Sequence, residues 1–76
     1  MQIRMERRNP TKRRQLIERV RGEFEEMPGL NLTLAQARLL FGVHEEVCRR
    51  VLDDLVGLGF LSLTPRGAYR RAEALA

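Results

Sequence analysis

Cysteine and histidine are scarce in this chain, which contains one of each, Cys48 and His44. A single cysteine forms no internal disulfide, and without a second thiol or a histidine at ligand spacing it anchors no structural zinc site. The sequence also has no glycine-rich phosphate loop and no recognisable Ser/His/Asp arrangement. These absences predict a protein that is not an enzyme and that needs no metal or other cofactor.

Long hydrophobic runs are absent as well, since the longest unbroken apolar stretches span only a few residues. A helix that crosses a bilayer needs about 20 predominantly apolar residues. The first residues, Met1 to Arg8, lack the apolar segment of a secretory signal. We therefore expect a cytoplasmic protein without a membrane partner.

The length of 76 residues is enough for one domain with one small core. Hydrophobic residues make up 43% of the chain and charged residues 32%, which is ordinary for a globular protein and unlike a disordered one. No room remains for a separate catalytic domain. The sequence predicts a single unit that folds by itself or as a small oligomer.

Positive charge is concentrated at the two ends of the chain, whose net charge is +4. Residues 1–21 carry eight basic and two acidic side chains, and residues 61–76 carry three basic and one acidic. The two segments between them, 22–43 and 44–60, are each negative by two charges. This distribution suits a polyanion held from both ends of the chain, because neutralised phosphates release counterions. A solvated, solubilising surface is the alternative interpretation.

The first half of the sequence predicts two helices. Asn9-Pro10 is a favourable helix start, and Pro28-Gly29 is a favourable end, so helix 1 is expected over about 10–27. Its apolar face is formed by residues at helical spacing: Leu16, Ile17, Val20, Phe24 and Met27. Leu30-Asn31-Leu32 alternates like a short strand. Thr33 and Gln36 have capping-box spacing, which places the start of helix 2 at about 34 and its end at about 41.

The second half predicts a turn, a helix and a hairpin. Gly42 suits a left-handed turn, with Val43 filling its inside and His44 at the start of helix 3, about 44–58. The apolar stripe of helix 3 consists of Val47, Cys48, Val51, Leu52, Leu55 and Leu58. Gly57 and Gly59 fit its C-terminal cap, and a hairpin over about 60–71 turns at Pro65-Arg66-Gly67. We expect Tyr69 to pack the hairpin on the core, in a fold that is mainly α with a small β-hairpin.

This order of elements resembles the winged helix-turn-helix DNA-binding superfamily, in its small bacterial or phage-type form. The residues that match the family pattern are Ala37, Phe41, Gly42, Val43, Leu52, Leu55, Leu58, Gly59, Phe60 and Leu61. The resemblance implies a three-helix winged helix-turn-helix domain over 10–76, after a basic N-terminal arm at 1–9. It also implies binding to double-stranded DNA as a transcriptional regulator or architectural factor.

Two positions depart from the family pattern. Arg38 stands where a small residue usually packs between the two helices, with Ala37 one place earlier. Helix 3 starts with His44-Glu45-Glu46, which places two carboxylates where the family contacts bases. Among the bases, only cytosine offers a carboxylate a suitable hydrogen-bond donor in the major groove. Acidic residues in a first helical turn also favourably oppose the helix dipole. Whether helix 3 enters the groove therefore stays open.

The candidate DNA contacts are basic side chains in three regions. They are Arg7, Arg8, Lys12, Arg13 and Arg14 in the arm and helix 1, Arg49 and Arg50 in helix 3, and Arg66, Arg70 and Arg71 in the hairpin. Phosphate contact is one interpretation of each group. The alternatives are a frayed terminus for the arm, ion pairs at spacings of three or four for helix 3, and ordinary loop chemistry for the hairpin.

The same scaffold also serves as a protein-interaction module, which is the alternative function. The acidic face of helix 3 and the apolar face of helix 2 would then form the docking surface. Leu39 and Leu40 give helix 2 extra apolar surface, which indicates either a contact between subunits or a deeper core. A homodimer through helix 1 or helix 2 is therefore a candidate assembly. Cys48, within an apolar stripe, is expected to be an inert buried thiol.

Overall fold

The computed structural model describes residues 10–73 and shows three helices with a small antiparallel sheet. The helices are α1 (Pro10–Glu26), α2 (Leu34–Phe41) and α3 (Glu45–Gly57), and the strands are β1 (Asn31–Thr33), β2 (Leu61–Leu63) and β3 (Ala68–Arg71). Mainly helical architecture with a hairpin is thus confirmed. The predicted arm at 1–9, with Arg7 and Arg8, lies outside the described residues.

Helix α1 supplies two buried side chains to the core, Val20 and Phe24. It ends at Glu26, and the prediction that Met27 completes its apolar face is wrong because 46% of Met27 is exposed. The proline at 28 disfavours helical geometry in the residue before it. The backbone N–H of Leu30 donates to the carbonyl of Met27 at 2.9 Å, so the chain turns away at that point.

The sheet has three strands in the order β1-β3-β2, all antiparallel. The predicted hairpin is present as β2 and β3, and the short predicted strand is present one residue later, as β1. Leu32 of β1 lies opposite Tyr69 of β3 in the register, and both side chains are buried. Burial of this pair explains the shift, because a strand that begins at Asn31 places Leu32 in the middle of the paired segment.

The predicted capping box at the start of α2 is confirmed. The backbone N–H of Gln36 donates to Thr33 Oγ1 at 3.1 Å, and that of Thr33 donates to Gln36 Oε1 at 2.9 Å. Helix α2 then buries Ala37 and Phe41, one turn apart, whereas Arg38 is exposed. Ala37 therefore takes the internal position next to α3, which leaves Arg38 on the surface.

Gly42 adopts the predicted left-handed conformation in the turn between α2 and α3, with φ of +66°. An added Cβ would meet nothing within 4 Å, so a substitution there costs backbone strain alone. We expect Gly42→Ala to lower the free energy of unfolding by about 1–2 kcal/mol, measured by urea denaturation. Gly22, inside α1 and equally open, is the matched control. Gly22→Ala should instead stabilise by up to about 1 kcal/mol, and equal effects at the two sites would contradict the assignment.

Helix α3 ends in a Schellman arrangement that leads directly into the hairpin. The backbone N–H of Gly59 donates to the carbonyl of Val56 at 3.0 Å, and that of Phe60 to the carbonyl of Leu55 at 2.9 Å. Gly59 has φ of +85°, the left-handed geometry this cap requires. The helix is one residue shorter at each end than predicted, and His44 is its N-cap by position, without a side-chain cap hydrogen bond.

The apolar stripe of α3 is narrower than predicted. Four of its six members are buried: Cys48, Val51, Leu52 and Leu55. Val47 is 45% exposed and Leu58 is 76% exposed, so these two members of the predicted stripe lie outside the core. Val47 lies beside the buried side of the helix, and Leu58 has already left the last helical turn as the C-cap. The largest fully buried side chains of the core are Phe24, Leu52, Leu55, Leu61, Val20 and Val51.

Candidate nucleic-acid interface

Two of the four acidic residues of α3 are held by other elements of the fold. The hydroxyl of Tyr69 in β3 donates to Asp53 Oδ1 at 2.8 Å. Asp54 forms an ion pair with Arg13 of α1. These contacts tie α3 to the sheet and to α1, and they reduce the unopposed negative charge on the middle of the helix. Asp53 and Asp54 therefore have structural contacts that account for their presence.

Tyr69 packs the hairpin on the core as predicted, because only 5% of it is exposed. Burial of the phenol, followed by its hydrogen bond to Asp53 and the charge of that carboxylate, raises the pKa of Tyr69 to about 12. The nearby charge of Arg49 opposes the shift. The folded protein thus keeps this phenol protonated over a range of pH in which the unfolded chain, with a pKa near 10, does not.

This shift makes the alkaline stability of the protein depend on Tyr69. Because the folded pKa lies above the unfolded one, the contribution is fully present below about pH 10 and is lost as the pH rises to about 12. Tyr69 is the only tyrosine, so tyrosinate absorbance reports it alone. We expect a midpoint well above that of the urea-unfolded chain and a flatter stability profile for Tyr69→Phe over this range. A midpoint near 10 in the folded state would contradict the hydrogen bond.

The predicted DNA-contacting arginines fall into two groups once the ion pairs are known. The paired arginines are Arg13, Arg50 and Arg70, whose partners are Asp54, Glu46 at 3.7 Å and Glu73 at 3.6 Å. Arg14, Arg49 and Arg66 are exposed and have no ion pair among residues 10–73, and they are called the unpaired arginines below. Arg71 also has no ion pair in this range but is half-buried. Arg50 thus forms the ion pair within helix 3 that was the alternative to DNA contact, whereas Arg49 forms no such pair.

The unpaired arginines lie on three different elements. Arg14 is on the exposed first half of α1, and Arg49 is on the exposed side of α3. Arg66 is exposed in the turn between β2 and β3. That turn is closed by hydrogen bonds from the Gly67 N–H to the Thr64 carbonyl at 2.9 Å and from the Ala68 N–H to Thr64 Oγ1 at 3.1 Å. The backbone that carries Arg66 is therefore held in place at the tip of the hairpin.

The remaining predicted contacts have other surroundings. Lys12 is exposed on α1 and has an interaction of its own. Arg71 is half-buried, and its guanidinium lies over the ring of Phe60, 4.8 Å from the centroid. The contact with Phe60 engages the face of the Arg71 guanidinium, so Arg71 is not one of the fully exposed arginines of the hairpin.

The start of α3 forms an open, charged depression of about 330 Å³ lined by His44, Glu45, Glu46 and Arg49. The two carboxylates are in the first turn of the helix, where they favourably oppose its dipole. Arg49 follows one turn after Glu45 on the same exposed side. Two carboxylates are therefore followed one turn later by two arginines at this end of α3, of which Arg50 pairs with Glu46 and Arg49 has no ion pair among residues 10–73.

Arg38 is a candidate contact that the sequence pattern does not single out. It is exposed on α2, and the described residues offer it no ion pair. Burial raises the pKa of the Cys48 thiol, and the nearby positive charge of Arg38 opposes that shift by a smaller amount. The sequence does contain a signal for the exposure of Arg38. Arg38 directly follows Ala37, the first buried residue of α2, and adjacent residues of a helix point in different directions.

Metal and membrane sites are not evident in the part of the chain that the structure describes. Across residues 10–73, no three His, Cys, Asp or Glu side chains are placed to share a metal ion. None of the helices in this range is long and apolar enough to cross a membrane. Cys48 is buried, and burial keeps its thiol protonated.

Comparisons of the chain with protein-family models, curated proteins and solved structures found no match.

Proposed function

We propose that this protein binds duplex DNA through the α2–α3 unit and the β2–β3 hairpin, as a winged helix-turn-helix regulator or architectural factor. The observation that carries the proposal is the placement of the unpaired arginines. One is on α3, one is at the hairpin tip and one is on α1, and none has a carboxylate partner among residues 10–73. Exposed guanidinium groups without partners are suited to bidentate contacts with phosphates.

The order of elements supports the same proposal. A capped α2, a left-handed turn at Gly42, α3 and a closing hairpin follow one another as in winged helix domains. The engagement of Asp53 and Asp54 within the fold also reduces the electrostatic objection to an approach by phosphates. Glu45 and Glu46 remain at the start of α3. They can accept hydrogen bonds from cytosine amino groups, and otherwise this end of α3 makes no contact with bases.

In this proposal Arg49 and Arg66 make the central contacts, and Arg14 and Arg38 contact flanking phosphates. Lys12 adds positive charge in α1, as do Arg7 and Arg8 in the sequence before it. The protein acts in the cytoplasm, contributes no catalytic step and uses no cofactor. Its affinity is mainly electrostatic, so its salt dependence measures how many phosphates it neutralises.

Fluorescence anisotropy with a random-sequence duplex at increasing salt tests the proposal. For three or four phosphate contacts, we expect the logarithm of the association constant to fall with the logarithm of salt with a slope of about −2.7 to −3.6. A pool of genomic fragments at physiological salt then separates a specific regulator from a general architectural factor. Absence of binding at low salt, with the protein shown to be folded by circular dichroism, would refute the proposal.

A protein-interaction module is the second candidate, and exposed apolar side chains on α2 favour it. Leu39 is 79% exposed and Leu40 is 44% exposed, so the deeper-core interpretation of these residues is wrong. If α2 forms a homodimer contact, sedimentation should show a concentration-dependent increase in mass that Leu39→Ser abolishes. Leu63→Ser is the matched control, because Leu63 is also exposed but lies in the hairpin. An unchanged monomer over the whole concentration range would exclude α2 as a self-association surface.

A further inference from the structure

A cationic cluster lies beyond the C-terminal end of α3, where two arginines contact one aromatic ring. The guanidinium of Arg21 in α1 lies over the Phe60 ring, 4.9 Å from its centroid, and that of Arg71 in β3 lies over it at 4.8 Å. The two positive charges are therefore at most about 10 Å apart, within one Debye length at 0.1 M salt. This cluster, Arg21, Phe60 and Arg71, is here called the arginine clamp.

The backbone fixes the geometry of the clamp. The Schellman hydrogen bond places Phe60 directly after α3, and the N–H of Ala72 donates to the carbonyl of Phe60 at 3.0 Å. Arg71, the residue before Ala72, is consequently held beside the ring. Phe60 itself is half-buried and packs against the core. These backbone hydrogen bonds therefore hold the Phe60 ring and the backbone of Arg71 next to each other.

The clamp has more positive charge and more hydrogen-bond donors than its described neighbours satisfy. Arg21 has one carboxylate partner, Glu25, at 3.7 Å with both side chains about half exposed. Arg71 has no ion pair within residues 10–73, and its buried Nε has no hydrogen-bond partner. The positive charge of Arg71 is therefore not neutralised by any carboxylate of the described residues.

We propose that the arginine clamp binds a phosphate group. Stacking on an aromatic ring engages the face of a guanidinium and leaves its in-plane N–H donors able to form charge-assisted bonds to phosphate oxygens. A phosphate that contacts both guanidinium groups also reduces the repulsion between their positive charges. The clamp lies beyond the C-terminal end of α3, away from His44 to Arg49, so binding of inorganic phosphate there does not depend on the proposed DNA contacts. The phosphate comes either from a small phosphorylated molecule or from a nucleic-acid backbone.

Arginine-detected NMR on the full chain tests the clamp directly. Sodium phosphate is titrated at constant ionic strength, with sodium chloride in the parallel sample, and the Nε–H signals are followed. We expect a saturable shift of the Arg21 and Arg71 signals with a dissociation constant of roughly 1–10 mM, and little change at Arg66. Arg71→Gln should abolish the shift at Arg21, and Arg66→Gln should leave both clamp shifts intact. The Arg21→Gln variant provides the reciprocal measurement at Arg71 if Arg71→Gln does not fold.

A short DNA duplex in place of inorganic phosphate distinguishes the two sources. Saturable clamp shifts with inorganic phosphate support a site for a small phosphorylated molecule. Clamp shifts with the duplex alone support a backbone phosphate as the ligand. Equal shifts at Arg21, Arg66 and Arg71, or no saturable shift with either titrant, would overturn the proposal. Absence of DNA binding together with saturable phosphate shifts would refute the proposed function and leave the clamp in place.

Discussion

Leu52→Ala is expected to lower the free energy of unfolding by about 2–5 kcal/mol. Leu52 is 0% exposed and lies in the middle of α3, among the buried side chains that join the helices to the sheet. Its truncation removes buried apolar surface and leaves a cavity that a core this small cannot easily close. A chain of 76 residues has about 4–11 kcal/mol of total stability, so this single change removes a large share.

Urea or thermal denaturation followed by circular dichroism measures the effect of Leu52→Ala. The matched control is Leu39→Ala, the same chemical change at a side chain that is 79% exposed. We expect the control to change stability by no more than about 0.5 kcal/mol. Similar losses of stability in the two variants would mean that α2 is covered in solution, for example by a second copy of the chain, or that Leu52 is not central to the core.

Replacing the three unpaired arginines should weaken DNA binding far more than replacing the three paired ones. Arg14, Arg49 and Arg66 changed together to Gln should lower the affinity for duplex DNA by roughly 100-fold, if each guanidinium–phosphate hydrogen bond contributes about 1 kcal/mol. The slope of the salt dependence should become shallower by about 2.7, or about 0.9 for each phosphate that is no longer neutralised. Anisotropy at several salt concentrations measures both quantities.

The paired arginines form a control with the same change in net charge. Arg13, Arg50 and Arg70 already have carboxylate partners, and changing them to Gln removes three positive charges as well. Because surface ion pairs contribute little to stability, this variant should remain folded. A similar decrease in affinity in both variants would show that binding follows net charge alone and would contradict the assignment of specific contacts. A larger decrease in the paired variant would show that the carboxylates freed on α3, Asp54 and Glu46, oppose DNA more than the unpaired arginines favour it, and would also contradict the assignment.

Local chemistry made much of the fold predictable from the sequence. The capping box of Thr33 and Gln36, the left-handed turn at Gly42 and the cap at Gly59 each depend on a few neighbouring residues. Caps and turns of this kind involve only residues that are close together in the sequence, which is why the sequence alone predicts them. The boundaries of α2 were predicted correctly, and those of α1 and α3 differ by one residue at the ends.

Pairing between distant segments could not be inferred in the same way. The strand β1 was expected only as a short isolated strand, because its partner β3 is far along the chain and its register depends on burial of Leu32 against Tyr69. The exposure of Val47 and Leu58 has the same origin. A helical stripe shows which side chains are apolar, but the neighbouring elements decide how much of the stripe is covered.

The sequence by itself determined the element order, the turns and caps, the concentration of basic residues at both ends and the set of arginines that could contact DNA. Only the tertiary structure decided which of those arginines have partners on other elements, because Asp54 meets Arg13 and Phe60 meets Arg71 from separate elements. Ion pairs and ring contacts depend on distances of a few ångströms between side chains that the sequence separates. The charge of a segment is therefore readable from the sequence, whereas the availability of each charge follows from packing.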